Sequence, residues 1–224
     1  MAWQPNPRQF TAIKIALFCA ALIPLGRLVV GAVTDGLGAN PIEFITRATG
    51  TWTFNFLLLT LTVTPLRKLA GLPWLLRLRR MLGLFTFFYA CLHFTTFVWF
   101  DHFFDWSEIV KDVVKRPFVT VGFAAFTLLW PLAVTSNAWA IRRLGGKKWQ
   151  NLHRSAYAIG VLACIHYFWL VKPIALVYPL IYATLFALLM AYRVKARIAS
   201  FGPYPRPDAA GDPRPIAVLR RVDR

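Results

Sequence analysis

The sequence has 224 residues, of which 58% are hydrophobic and only 16% are charged, and its formal net charge at pH 7 is +17. Soluble domains carry about a quarter of charged residues, so this composition excludes an ordinary soluble protein. The mean hydropathy of +0.52 agrees with that exclusion. The apolar residues form runs of roughly 17–22 residues, the length that an α-helix needs to cross a hydrocarbon core of about 30 Å.

Six such runs follow one another along the chain and predict an all-α membrane protein with a bundle of six transmembrane helices. They cover Ile13 to Val33, Trp52 to Pro65, Met81 to Phe100, Phe118 to Thr135, Leu152 to Val171 and Ile174 to Tyr192. The first run is too long for a signal-peptide core and precedes five more, so we expect an uncleaved anchor. Residues 1–12 are then a cytoplasmic N-terminus, residues 13–197 the bundle, and residues 198–224, rich in Pro, Arg and Asp, a disordered cytoplasmic tail.

The charged residues between the runs predict the orientation of the bundle. The segments after the second and fourth runs contain lysine and arginine but no acidic residue, whereas the alternate loops hold Asp35, Glu43, Asp101, Asp105, Glu108 and Asp112. Because cytoplasmic loops carry the excess of positive charge, both termini are predicted to be cytoplasmic. Charge placed for topology argues against nucleic-acid binding. Residues 101–116 mix aromatic and charged side chains and predict an interfacial amphipathic helix on the outer face.

Two histidines within the third and fifth runs predict a haem site. Arg80 and His153 lie at the corresponding cytoplasmic ends of two helices that cross in the same direction. His93 lies 13 residues beyond Arg80, and His166 lies 13 residues beyond His153. Each is therefore about 20 Å from that end. An ionisable residue within a span is a functional hypothesis, although a neutral histidine bonded to a neighbouring helix is the simpler alternative. Two facing imidazoles can ligate haem iron from both sides.

The other two histidines differ in position. His102 follows Asp101 in an outer loop and is most simply a solvated residue. His153 lies 13 residues before His166, which on a continuous helix places it roughly 140° away from the face of His166. We expect it to contact a second redox group, or a haem edge, from the cytoplasmic side.

Particular stretches resemble the ferric-reductase-type transmembrane domain, which NADPH oxidases and metalloreductases share. The resemblance covers about Ile13 to Arg197 and is closest to the haem-binding membrane subunits of bacterial methionine sulfoxide reductase systems. Its most specific parts are "RRMLGLFTFFYACLH" in the third run and "KKWQNLHRSAYAIGVLACIHY" across the fifth. "LGANPI", "TPLRKLAG" and "RPFVTVG" elsewhere in the chain also fit those subunits.

The resemblance implies b-type haem with axial ligands at His93 and His166, and it matches His153 to the remaining histidine of the family. The larger oxidases have a further histidine where this chain has Arg79, so the pattern for two haems is incomplete. It also implies a protein of the bacterial inner membrane. Such a subunit passes electrons from the quinone pool, with FMN as a cofactor, to a periplasmic molybdenum-containing enzyme that reduces methionine sulfoxide in proteins.

The chain shows no Gly-rich nucleotide motif after a strand, so no fused NADPH and FAD domain is expected. Electrons are then expected from quinol or from a separately bound flavin. Candidate donor-site residues lie at the cytoplasmic end, where arginines suit an FMN phosphate and an indole could stack on a ring; they are Arg77, Arg79, Arg80, Trp149 and Arg154, beside His153. Topology and anionic lipid are the alternative roles of these arginines. The haem propionates also need cations, and Arg47, Arg116 or Lys172 at the outer side could supply them.

Two other functions compete with an electron-transfer subunit. A self-contained transmembrane reductase of ferric iron or oxygen is one, and the expected lack of a flavin domain weighs against it. A transporter or scaffold without haem is the other. The spans contain no acidic residue and no pair of broken helices that would mark an ion path.

Overall fold

The computed structural model describes residues 3–199, and every regular element in that range is helical. The α-helices in chain order are α1 Pro7–Val33, α2 Pro41–Ala70, α3 Arg79–Thr96, α4 Trp106–Lys115, α5 Pro117–Val134, α6 Ala138–Leu144, α7 Gly146–His153, α8 Ser155–Leu170 and α9 Val177–Ala199. A π-helical turn, Phe97–Asp101, continues α3, and 3-10 turns cover Pro73–Leu78 and Pro173–Ala175. The predicted all-α class is thereby confirmed for these residues. The tail from residue 200, predicted to be disordered, lies outside the described residues.

Polar residues at the helix ends explain where the first two long helices begin and end. Asn6 caps α1, since its side chain accepts from the backbone of Gln9 while the Gln9 side chain accepts from the backbone of Asn6. Asn40 caps α2 in the same way through the backbone of Glu43. Gly71, with a φ of +66°, ends α2 in the left-handed conformation that favours glycine.

The bundle is built from two antiparallel helix pairs, α2 with α3 and α5 with α8, which pack against each other. Helix α2 lies at the centre, and eight of its residues are buried, including Phe54, Leu57 and Leu61. These residues join buried side chains of α5, α8 and α9 in one hydrophobic core. Helix α1 packs on the opposite side, against the aromatic side chains of α2 and α3.

Four helical segments of residues 3–199 are long and apolar enough to cross a membrane: Pro7–Val33, Pro73–Asp101, Pro117–Val134 and Val177–Ala199. This result indicates a multi-pass membrane protein. Helices α2 and α8, which hold the second and fifth predicted spans, do not meet the same criteria. Helix α8 has only 16 residues, about 24 Å at 1.5 Å per residue. Six spans and the orientation of the termini therefore stay predictions.

The two ends of the bundle carry opposite charge. We call the end with the Arg67–Lys68 segment, the start of α3, helices α6 and α7 and the end of α9 the basic end. Every acidic residue among residues 3–199 lies in or beside the loops at the other end, which we call the acidic end. Helix α4 lies in the segment predicted to form an amphipathic helix; Ile109 is buried, whereas Trp106, Val110 and Val114 are exposed.

A tyrosine connects α1 to α3 through the backbone of α1. The Tyr89 hydroxyl donates to the carbonyl oxygen of Ala21 at 2.7 Å and accepts from the backbone N–H of Leu25 at 3.2 Å. These two groups are one helical turn apart, beside Pro24, so the hydroxyl is inserted into the hydrogen-bond ladder of α1. Tyr89 is fully buried.

Candidate functional site

His93 is held by the backbone of α2. Its Nδ1 lies 3.0 Å from the carbonyl oxygen of Thr46. A carbonyl oxygen only accepts, so Nδ1 carries the proton and Nε2 keeps its lone pair. Gly50 lies one turn beyond Thr46, and a methyl group added there would be 3.0 Å from Cε1 of His93. The imidazole therefore reaches this carbonyl because α2 has no side chain at that position.

His166 repeats the same arrangement on the other helix pair. Its Nδ1 donates to the carbonyl oxygen of Phe118 in α5, at 2.7 Å. Gly122 lies four residues beyond Phe118, and a methyl group added there would be 2.8 Å from both Cε1 and Nδ1 of the ring. Each helix pair thus fixes one histidine by a carbonyl and a glycine four residues later. In both rings, Nε2 is the nitrogen left for a ligand.

The two histidines meet where the helix pairs pack. Their ring centroids are 6.2 Å apart and their planes are inclined by 76°. Two imidazole nitrogens on opposite sides of one metal ion, each at roughly 2 Å, leave their ring centroids roughly 6 Å apart. Neither Nε2 has a hydrogen-bond partner within residues 3–199. Metal-binding histidines ordinarily donate their other N–H to a carbonyl, as both do here. The pair therefore fits a shared iron atom.

The surroundings of the pair are apolar and aromatic, with one exception. Phe94 stacks on Phe126 with ring centroids 4.7 Å apart, which joins α3 to α5 beside His93. The hydroxyl of Thr46 is buried and has no hydrogen-bond partner among the described residues. A buried hydroxyl without a partner is costly, so this polar atom beside the His93 site also favours a bound group.

His153 lies near the basic end and has different neighbours. Its ring stacks on Trp149 with centroids 3.9 Å apart, and its Nδ1 donates to the Trp149 carbonyl at 3.1 Å. Its Nε2 is 3.5 Å from the hydroxyl of Ser136. The helix predicted to be continuous from Leu152 is interrupted at Arg154, between α7 and α8. The angle of 140° therefore does not describe the relation between His153 and His166.

The structure separates the five candidate donor-site residues. Arg79 interacts electrostatically with His153, and Trp149 stacks on the His153 ring. Arg79 and Trp149 therefore both lie beside this imidazole. The guanidinium of Arg77 instead lies 3.8 Å above the ring of Phe10 in α1. Arg80 and Arg154 are exposed.

Predictions for the acidic end also have outcomes. His102 is not simply solvated, since its Nε2 lies 3.1 Å from a carboxylate oxygen of Asp112 and its ring packs edge-on against Phe97. Of the cations considered for haem propionates, Arg47 pairs with Glu43 and Arg116 pairs with Asp112. Those two guanidinium groups therefore already have acidic partners.

Three residues whose positions matter in the bundle could not be singled out from the sequence: Gly50, Gly122 and Arg193. Gly122 ends the stretch "RPFVTVG", but the sequence assigns no role to it or to Gly50, because that role depends on which helix faces each histidine. Arg193 directly follows the sixth predicted span. Its guanidinium turns back into the bundle, where it donates to the carbonyl oxygens of Leu189 and Leu61.

Comparison with known proteins places the site in a family. The model of the family described as "Ferric reductase like transmembrane component" matches residues 48–164, which contain His93 and His153; His166 lies two residues beyond the match. The chain belongs to this ferric-reductase-like family. Within the family it is similar to proteins named protein-methionine-sulfoxide reductase heme-binding subunit MsrQ. No solved structure matches the chain.

Three of these MsrQ relatives span most of the chain. The one from Azospira oryzae is 53% identical over 221 residues, which are 99% of this chain and 95% of the relative. The one from Herminiimonas arsenicoxydans is 60% identical over 195 residues, or 87% of this chain and 89% of the relative. The one from Rhodospirillum rubrum is 50% identical over 181 residues, or 81% and 86%. The resemblance to the MsrQ branch is thereby confirmed.

Proposed function

We propose that the chain binds b-type haem between His93 and His166 and serves as a membrane electron-transfer subunit. The observation that carries the proposal is the histidine pair, with ring centroids 6.2 Å apart and both Nδ1 atoms directed to backbone carbonyls. The printed names of the relatives describe haem-binding subunits, which supports the same ligand. Bound haem supplies one-electron redox chemistry at a potential set by its ligands and burial.

The protein's own contribution is to orient and shield the two imidazoles. The carbonyls of Thr46 and Phe118 hold each Nδ1 proton, which fixes the tautomer and makes each Nε2 a better ligand. Helices α2, α3, α5 and α8 bring the rings together within an apolar interior. The apolar side chains around the site also keep water away from the two imidazoles.

We further propose that the donor is the quinone pool, with FMN as a second cofactor, and that the acceptor is a periplasmic molybdenum-containing methionine sulfoxide reductase. The relatives' name associates them with protein-methionine-sulfoxide reductase. The basic end would then be cytoplasmic and would receive electrons, and the acidic end would face the partner in the periplasm of a bacterial inner membrane. His153, with Trp149 and Arg79 beside it, belongs to the donor side in this proposal.

A transporter or scaffold without haem is the weaker candidate, because structural histidines would use both ring nitrogens in hydrogen bonds. Here Nε2 of His93 and of His166 has no such partner within the described residues. The family to which the chain belongs is described as ferric-reductase-like, so reduction of ferric iron or oxygen is a second candidate function. Reduction of added ferric chelate by the purified protein alone would favour it.

The visible spectrum of the detergent-purified protein, oxidised and then reduced with dithionite, tests the proposal. We expect the sharp α-band of low-spin haem with two histidine ligands after reduction. His93→Ala and His166→Ala should each abolish haem retention, because either change removes one ligand. His102→Ala is the matched control, since it removes a histidine at the acidic end and should leave the spectrum intact. Retention of low-spin haem by either ligand variant would falsify the pairing.

A further inference from the structure

Arg193 lies inside the bundle although it follows the last apolar run of the sequence. Its Nη1 donates to the carbonyl oxygen of Leu189 at 3.0 Å, and its Nη2 donates to the carbonyl oxygen of Leu61. Leu61 is fully buried and lies nine residues before the end of α2 at Ala70, a distance of about 13 Å along the helix. The guanidinium therefore sits well below the basic end, and its position is fixed by two different helices.

A second arginine approaches the same place. Arg79, the first residue of α3, is partly buried and interacts electrostatically with both Arg193 and Tyr157. The Arg193 guanidinium lies over the ring of Tyr157, 5.6 Å from its centroid. Arg79 also interacts with His153. Two guanidinium groups, from α3 and α9, thus adjoin Tyr157, and the imidazole of α7 adjoins Arg79. We call Arg79, Arg193 and Tyr157 the arginine cluster.

No carboxylate balances the arginine cluster within the part of the chain that the structure describes. The ion pairs in which both partners belong to residues 3–199 lie at the acidic end. The carbonyls that hold Arg193 orient its charge without neutralising it. The backbone N–H of Arg79 donates to the carbonyl oxygen of Leu76, whereas its guanidinium makes no hydrogen bond in the same part of the chain, so the guanidinium donors remain available. Two uncompensated charges inside a bundle repel each other and are costly, and such residues usually mark a binding site.

We propose that the arginine cluster binds a phosphate group between α3 and α9 at the basic end. Guanidinium groups present paired donors that match phosphate oxygens, and a phosphate supplies the negative charge that the described residues lack here. Which molecule bears this phosphate, FMN or a phospholipid, rests on the proposed function. FMN would place a flavin beside His153 and Trp149, whereas an anionic phospholipid would present the same group from the membrane. Both sources share the phosphate chemistry.

The test uses the haem-loaded protein in nanodiscs and separates the two sources. In the first arm, binding of FMN is compared with binding of riboflavin, which has the same ring system but no phosphate. In the second arm, retention of phosphatidylglycerol is compared with retention of phosphatidylcholine by mass spectrometry. The variants are Arg79→Gln and Arg193→Gln, with Arg80→Gln as the matched control because Arg80 is the exposed neighbour on the same helix.

We expect the wild-type protein to prefer the probe whose phosphate leaves a net negative charge, FMN or phosphatidylglycerol, in at least one arm. Each cluster variant should weaken that binding about tenfold or more, since a charge-assisted hydrogen bond is lost, and should leave riboflavin or phosphatidylcholine binding unchanged. Arg193→Lys should recover only part of the affinity because lysine lacks the paired donors. Arg80→Gln should behave as wild type.

Two results would overturn the proposal. One is a wild-type protein that prefers neither FMN to riboflavin nor phosphatidylglycerol to phosphatidylcholine. The other is the same preference in wild type and in both cluster variants. The haem spectrum, recorded on every sample, reports folding and tests the His93–His166 pair separately. Arg79→Gln keeps the test informative even if Arg193→Gln fails to fold, because Arg79 holds no backbone carbonyl.

Discussion

Gly122 determines whether His166 can keep its orientation. A methyl group at this position would be 2.8 Å from two atoms of the imidazole, too close for any side chain to tolerate without movement. We therefore expect Gly122→Ala to displace the ring from the Phe118 carbonyl. Loss of such a supporting hydrogen bond typically lowers metal affinity by about 10–100-fold. Haem affinity, measured by titrating the apoprotein and following the Soret band, should fall by about tenfold or more.

Gly26→Ala is the matched control for that substitution. Gly26 lies in α1, and a methyl group added there would contact nothing within 4 Å. Alanine is better than glycine in a helix by about 1 kcal/mol, so this variant should fold at least as well and bind haem normally. Equal haem affinity in Gly122→Ala and Gly26→Ala would show that the close approach has no role in the site.

His153 should influence how fast electrons arrive and leave haem binding intact. Its ring stacks on Trp149 and interacts with Arg79, away from the His93–His166 pair. We expect His153→Ala to retain the low-spin spectrum while stopped-flow reduction by a quinol analogue or by reduced FMN becomes slower. Dithionite, a small reductant, should reduce both proteins fully. Loss of the low-spin spectrum in this variant would assign His153 as a haem ligand instead.

The histidine pair could be predicted from the sequence because a helix rises by a constant amount per residue. Equal spacing from the two basic ends therefore implied equal depth for His93 and His166. The carbonyls and glycines that fix the rings could not be predicted, since they depend on which helix packs beside each histidine. Arg193 was missed for a related reason. A long side chain can turn back into a bundle, and its direction is not encoded in its position.

Tyr89 stabilises the packing of α1 on the rest of the bundle through hydrogen bonds to the backbone of Ala21 and Leu25. Tyr89→Phe keeps the ring stacked on Phe56 but removes both bonds. Such bonds contribute about 0.6 kcal/mol on average within membranes, so we expect a loss of about 1 kcal/mol in the free energy of unfolding. Thermal unfolding in detergent, followed by circular dichroism, measures it. Tyr178→Phe, at an exposed position, is the control.

Haem retention should survive this change, because α1 carries neither histidine nor its carbonyl partner. An unaltered unfolding temperature in Tyr89→Phe would mean that Ala21 and Leu25 close their own helical bond when the hydroxyl is removed. In that case the tyrosine would not stabilise the packing of α1. A lower unfolding temperature together with a normal spectrum is the result that we expect.

The helices themselves were predictable to different degrees. The long apolar runs located α1 and α2 but not their starts, since the predicted spans begin at Ile13 and Trp52 whereas the helices begin at Pro7 and Pro41, after the capping residues Asn6 and Asn40. The break at Arg154 was not predictable, because neither glycine nor proline lies at that point. The short helices α6 and α7, of seven and eight residues, were also missed, since neither is long enough to form a long apolar run.

At the scale of the whole molecule, the position of α2 explains why it can hold several polar residues. A helix that faces lipid needs apolar residues on its outer surface, whereas a central helix contacts mainly protein. Helix α2 is central, and threonines such as Thr53, Thr60 and Thr62 bond their hydroxyls to carbonyls one turn earlier. These polar residues are therefore compatible with a crossing inside the bundle.

Labelling of introduced cysteines can decide whether α2 and α8 cross the membrane. Thr34 precedes α2 and Lys68 lies in its last turn, whereas Lys148 precedes α8 and Lys172 follows it. In a background without Cys19, Cys91 and Cys164, each is replaced singly by cysteine and exposed to a membrane-impermeant maleimide. For six spans with cytoplasmic termini, the positions Thr34 and Lys172 should react in cells with a permeable outer membrane. Lys68 and Lys148 should react only after the inner membrane is disrupted.

The alternative of four spans gives a different pattern, because a helix that does not cross leaves both of its flanking positions on one side. Equal labelling of the Thr34 and Lys68 variants would exclude a crossing by α2, and equal labelling of the Lys148 and Lys172 variants would exclude one by α8. The haem spectrum of each variant serves as the control for folding. Helix α8 carries His166, and α2 supplies the carbonyl that holds His93. An intramembrane His93–His166 pair therefore requires both α2 and α8 to cross the membrane.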